Sequence, residues 1–156
     1  MSCNVLTNPS FETGTLDGWY GTSGSIATVV QGSIAYDGNY YLDVTGTAAN
    51  PTASVAQDLY WLDETKTLDL TLWVRFENTI SSATGHCEVS AYLGEDPTAG
   101  AIASDIIWDS DEWLRLTGSI LPEERNTTLN LVGSCIELGN ATIANVLFDD
   151  VVLSDC

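Results

Sequence analysis

The chain has 156 residues, 44% of them apolar, and carries 22 acidic against 4 basic side chains, a formal net charge of −18. A chain of this length fits one domain, here 1–156, and its apolar content supports a core, which excludes global disorder despite the charge. So acidic a surface repels phosphate backbones and anionic lipid, arguing against nucleic acid and membrane as partners, and no apolar run reaches the ~18 residues of a spanning helix.

The chain opens on a broken, polar stretch. Between Thr7 and Trp19 stand a proline, two glycines, two carboxylates and two large aromatics. Such a segment reads as a loop, with Gly14 and Gly18 at its bends and Phe11 and Trp19 turned to the core. Period-two alternation then dominates. In 68–76 the residues Leu68, Leu70, Leu72, Val74 and Phe76 point one way, and Asp69, Thr71, Trp73 and Arg75 the other. Residues 113–120 repeat the device, with Trp113 and Arg115 facing out. Further strands are expected at 25–30, 40–44, 54–59, 87–93, 102–108, 128–136 and 145–153. Turn-forming residues separate them at 21–24, 37–39, 50–51, 94–100 and 138–140. No 3.6-residue amphipathic period stands out, and 59–66 offers one short turn at most. Nine or ten short strands predict an all-β antiparallel sandwich.

Four cysteines stand at 3, 87, 135 and 156, with no C-x-x-C pair of the kind that binds zinc. Of three possible connectivities, Cys3–Cys156 with Cys87–Cys135 is favoured: the first ties down termini that commonly lie near each other, the second joins two strands. Disulfides imply an oxidising compartment, and the sequons at Asn126 and Asn140 agree with a secreted, extracellular glycoprotein. No leader-like segment precedes Cys3, which reads as the start of a mature chain. The single histidine, His86, leaves no nucleophilic triad and no multi-histidine zinc centre.

Four blocks in order carry a resemblance. They are Asn4 to Trp19 (N-x-L-x-N-P-S-F-E-T-G-x-L-x-G-W), Tyr36 to Val44 (YDGNYYLDV), Leu68 to Arg75 (LDLTLWVR) and Leu147 to Leu153 (LFDDVVL). The chain resembles carbohydrate-binding modules of families 4, 9 and 22; its cysteines and sequons depart from bacterial members and look like secreted fungal relatives. The resemblance implies a β-sandwich jelly roll of the galactose-binding type that holds a polysaccharide without catalysis. It acts as a monomer and keeps a linked or partner glycoside hydrolase near its substrate. It also implies a structural calcium ion: Glu12, Asp37 and Asp149 would supply carboxylates, and Ser10 and Tyr40 backbone carbonyls, to a cation that takes six to eight hard oxygens.

For the ligand, sugar rings present apolar C–H faces to aromatic side chains and hydroxyls to planar polar groups. In such modules the tryptophan of the 68–76 strand is often on the binding face, so Trp73 leads and Arg75 shares its side. Alternation adds Glu88 and Tyr92 on 87–93 and Asn130 on 128–136, with Trp61 and Trp108 as platforms at loop edges. A concave sheet carrying these groups would suit one chain of β-glucan or xylan type. A loop covering Trp73 is the competing expectation. The alternative functions are a secreted cell-wall or adhesion protein of the same fold without a glycan site, and, further off, a small glycan-active enzyme.

Overall fold

The structure, a computed structural model, describes residues 3–80, 84–109, 111–137 and 140–156, and only the backbone of Glu137, Asn140 and Ala141. Its strands are β1 (Trp19–Gly21), β2 (Ile26–Gln31), β3 (Tyr40–Thr45), β4 (Ala53–Leu59), β5 (Leu68–Phe76) and β6 (His86–Leu93). They continue with β7 (Ala101–Ile107), β8 (Leu114–Ile120), β9 (Thr127–Glu137), β10 (Asn140–Thr142) and β11 (Asn145–Ser154). Two antiparallel sheets result. One has the order β1-β4-β9-β6-β7 with β10 paired to β9; the other has the order β2-β3-β11-β5-β8. This is the antiparallel β-sandwich jelly roll that the alternation and the resemblance predict.

The alternation sets which side of each strand faces the partner sheet. Leu68, Leu70, Leu72, Val74 and Phe76 of β5 are all buried, while the residues between them are at least partly exposed. Leu42, Val44, Val146 and Phe148 extend that layer on β3 and β11, and Val55, Val89, Ala91, Leu129 and Leu131 meet it from the other sheet. Phe11 and Trp19 enter the same core with ring centroids 5.5 Å apart, as expected of the opening loop. The Trp19 indole donates to the Asn8 carbonyl at 3.1 Å, which satisfies its one polar atom.

Two strands escape sequence reading. β1 and β10 have three residues each, too few for alternation to register. Asn140 opens β10 rather than a turn, and the rest of that expected turn, 138–139, lies outside the described residues. The expected disulfides are both present: Cys3–Cys156 joins the termini and Cys87–Cys135 links β6 to β9 across the sheet interior.

Candidate functional site

The two sheets treat their outer faces differently. Tyr41, Leu147, Trp73 and Asp149 all point outward from the five-stranded sheet, yet Tyr41, Leu147 and Asp149 are buried. The cover is the loop between β2 and β3. Tyr36 stacks on Trp73 with centroids 3.9 Å apart and planes 18° apart, and its ring edge meets Trp113 at 6.3 Å. The Trp113 indole donates to the Ile34 carbonyl at 2.7 Å. Trp73 is therefore a seat for a loop, and Trp113 its clamp. Arg75, opposite Leu147, is paired with Glu77 at 2.9 Å.

The first loop and the end of that cover meet over β11. The register of β11 against β5 slips between Asp149 and Val152, and Asp150 adopts a left-handed φ of 46°. At this bulge the Val151 N–H reaches the Pro9 carbonyl (3.0 Å) and the Ser10 hydroxyl reaches Asp150 (3.4 Å). Asp149, wholly buried, accepts from the Asp37 N–H at 3.0 Å and from its neighbour Asp150 at 2.7 Å. Burial pushes its carboxyl up to about 6, against the pull of the N–H groups of Asp37, Asp150 and Tyr36. Glu12 accepts from the N–H groups of Asn39 and Tyr40 at 3.1 Å. Gly38 makes that approach possible: a Cβ there would stand 2.4 Å from the Glu12 carboxylate, and its φ is +64°. Glu12 and Asp149 thus hold one turn, Tyr36 to Tyr40, from two sides.

A hard cation needs several oxygen donors drawn to one point. No Lys or Arg pairs with Glu12 or Asp149 among the described residues, and carboxylate oxygens keep spare lone pairs after accepting N–H bonds. Both residues therefore fit as hard donors. The carboxylates of Glu12, Asp37 and Asp149 do not, however, gather within 4.8 Å of one another. Asp37 contributes its N–H here, with its side chain exposed, and Ser10 contributes its hydroxyl. Tyr40 donates its N–H to Glu12.

The outer face of the six-stranded sheet is open, and its rows follow from the registers. One row runs Tyr20, Ala56, Asn130, Tyr92, Ala101; the next Ser54, Val132, Ser90, Ser104; the next Ser134, Glu88, Ile106. The middle rows are small or polar and line a shallow depression of about 270 Å³ with Asp105 and Ile106 on its rim. Large side chains stand at opposite corners. Trp108 is 55% exposed just past β7, tilted against His86 at 5.0 Å, with Ile106 beside it. At the other corner stand Tyr20 and, past the end of β4, Tyr60 and Trp61, the last 83% exposed. Tyr20 donates to Asp58 at 2.5 Å, and that bond raises its pKa above the ordinary phenol range. Trp61 has a φ of 60°, costly for a bulky residue, and its N–H is held by the Asn126 side chain at 3.2 Å. From strand spacing and rise, the diagonal from Tyr20 to Trp108 measures roughly 25–30 Å.

The sequence-predicted ligand set therefore divides. Glu88, Tyr92 and Asn130 share the open face, with Trp108 and Trp61 at its corners, whereas Trp73 and Arg75 lie on the opposite side of the sandwich. The expectation of one sheet carrying all five strand residues is corrected: β5 pairs with β11 and β8, while β6 and β9 pair with each other. Alternation gives the side a residue faces and not the sheet it belongs to. The Asn130 amide is already used on the Gly94 carbonyl (2.8 Å). Ser90 and Ser134 fall on the polar side that alternation predicts for their strands, whereas Tyr20, Tyr60, Ser54 and Ser104 were not expected; Tyr20 sits on a strand too short to read. Asn126 is exposed, and the side chain of Asn140 lies outside the described residues.

Comparison with known proteins places this geometry. A family model described as "Carbohydrate binding domain", covering families 4 and 9, matches residues 3–132. A segment of 47 residues, 30% of this chain, is 45% identical to endo-1,4-beta-xylanase A of Thermoanaerobacterium saccharolyticum, of which it spans 4%. The fold is similar to the family 22 xylan-binding domain from Paenibacillus barcinonensis (TM-score 0.65, 18% identity, 94% of this chain and 92% of that one). It is also similar to a family 61 module solved with beta-1,4-galactotriose (TM-score 0.62, 18% identity, 99% and 100%). With a family model matching most of its length, an open aromatic-cornered sheet and a jelly-roll frame, the chain belongs to the carbohydrate-binding domain family.

Proposed function

We propose that the chain binds a single polysaccharide chain, without catalysis, along the open outer face of the six-stranded sheet. The observation that carries this reading is the contrast in aromatic exposure. Trp61 (83%), Tyr60 (64%) and Trp108 (55%) stand exposed around a floor of small and polar residues, with Tyr20 beside them, while Trp73 and Trp113 are half-buried, Trp73 under the stacked ring of Tyr36, which itself stays 42% exposed. Sugar C–H faces would stack on Trp108 and Trp61, and Ser90, Ser104, Ser134, Glu88 and Tyr92 would take hydroxyls between them. The relatives with similar structure include modules for xylan and for beta-1,4-galactotriose, which puts neutral β-linked chains first among candidate ligands. Attached to, or beside, a glycoside hydrolase, such a module raises the effective concentration of enzyme at its substrate. The disulfides suit work outside the cell.

The reading includes a structural calcium ion held by Glu12 and Asp149; the Asp37 carboxylate and the carbonyls of Ser10 and Tyr40 would complete its shell by turning toward it, since the three carboxylates do not gather by themselves. Its support is the pair of carboxylates on one turn and the burial of Asp149, whose ionised form a divalent cation would stabilise. The cation would fix the Tyr36–Tyr40 turn, and through Tyr36 the cover over Trp73; it would take no part in ligand contact. The test of the binding reading is affinity electrophoresis through gels containing xylan, β-1,4-galactan or mixed-linkage β-glucan. Retardation by at least one of them, lost in Trp108→Ala, is the expected result. Free migration through the whole panel would overturn it.

A further inference from the structure

We infer that the open face selects its ligand by charge, accepting an uncharged chain and rejecting one that bears uronic acids; this rests on the binding reading above. The chain has four cationic side chains, and the structure places all of them off the strands of the six-stranded sheet. Arg75 and Arg115 lie on β5 and β8 of the other sheet, in register beside Leu147 and Trp73. Lys66 sits in the loop between β4 and β5. Arg125 approaches the Trp61 corner but faces Glu64 at 3.4 Å.

Acids, in contrast, are spread along the proposed path. Asp58 stands at the Tyr20 corner, held by the Tyr20 and Thr128 hydroxyls. Glu88 stands on the floor of the central depression, and Asp105, in register with the buried Val89, on its edge. Glu88 has His86 at 3.4 Å, the one group on the face able to offset it by protonation. Carboxylates accept hydrogen bonds from sugar hydroxyls well, so a neutral chain meets good acceptors. A glucuronic or galacturonic unit brings a like charge to the same acceptors and finds no Lys or Arg on the strands of this sheet to pair with, the nearest, Arg125, being held by Glu64. At low ionic strength a uronate settling in the depression faces the Glu88 carboxylate, with Asp105 at the edge and Asp58 further along the path, together enough for roughly a tenfold loss of affinity, shrinking at high salt.

The test compares matched polymers: mixed-linkage β-glucan and β-1,4-galactan, each beside its C6-oxidised, uronate-bearing derivative, and neutral arabinoxylan beside glucuronoxylan. Retardation is measured for the wild-type chain from low salt to about 1 M, where the Debye length falls to ~3 Å. The expected result is a preference of about tenfold or more for the neutral member at low salt, falling towards twofold at high salt. In Glu88→Gln the preference ratio should fall several-fold. In Asp69→Asn, which removes one charge from the opposite sheet, it should not. Equal binding of neutral and oxidised polymers overturns the inference while leaving the binding reading intact, and so does a preference untouched by both salt and Glu88→Gln. Failure to bind any neutral polymer overturns the binding reading, and the inference with it. The salt series needs no variant, so a misfolded Glu88→Gln leaves the inference open to refutation.

Discussion

The five-stranded and six-stranded sheets solve the same problem in opposite ways. Each has one face in the shared core and one face outward. The five-stranded sheet covers the middle of its outer face with loops, Tyr36 on Trp73, Ile34 on Trp113, and the first loop on the β11 bulge, and leaves the edge strands β2 and β8 exposed. The six-stranded sheet has its staple inside, where Cys87–Cys135 joins β6 and β9, and leaves its outer face open over β9, β6 and β7, while Ala56 and Ser54 of β4 are buried, Ser54 against Thr22 and Ser25. A sheet held from within is free to present its other side to a ligand. A sheet covered from outside offers its aromatics to its own chain.

That contrast yields predictions of graded size. Removing the internal staple, with Cys87→Ala and Cys135→Ala together, frees a 48-residue loop and is expected to cost about 4 kcal/mol on the chain-entropy model, read from urea midpoints. Trp73→Ala removes the seat of the Tyr36 loop. It should cost about 3 kcal/mol, as other large-to-small aromatic losses do, with polysaccharide retention preserved in the folded fraction. Glu12→Ala removes the acceptor of the exposed Asn39 and Tyr40 N–H groups, which water then meets, and should cost about 0.5–1.5 kcal/mol. If the cation is present, chelation should lower the melting temperature of wild type and leave that of Glu12→Ala nearly unchanged. An unchanged wild-type melting temperature in chelator would remove calcium from the account. The smallest effect on stability, within about 0.5 kcal/mol, belongs to Trp108→Ala, because its side chain stands mostly in solvent. Its effect on glycan affinity should be the largest of the set, about tenfold or more.

Much of the fold is legible in the sequence for a physical reason. Long strands with one buried face must alternate, and β5 with its five buried residues shows this without ambiguity. The opening loop is legible because Phe11, Gly14, Gly18 and Trp19 each have one workable role. The site is legible only in part. Trp73 and Tyr92 look alike in sequence: an outward aromatic on an alternating strand. Which of them is covered depends on Tyr36, contributed by a loop more than thirty residues before Trp73, and on which strands pair. Neither is a local property. Trp61 and Trp108 were identifiable as loop-edge aromatics, whereas Tyr20 was hidden by the three-residue length of β1.

The measurement that bears most directly on the account sets the two faces against each other. Wild type, Trp61→Ala/Trp108→Ala and Trp73→Ala are run side by side through gels containing the neutral polysaccharide that retards wild type most, with circular dichroism confirming that each is folded. The account predicts that the Trp61 and Trp108 double variant migrates as if no glycan were present while Trp73→Ala is retarded like wild type. Retention lost in Trp73→Ala and kept in the double variant would contradict it and move the ligand to the other sheet.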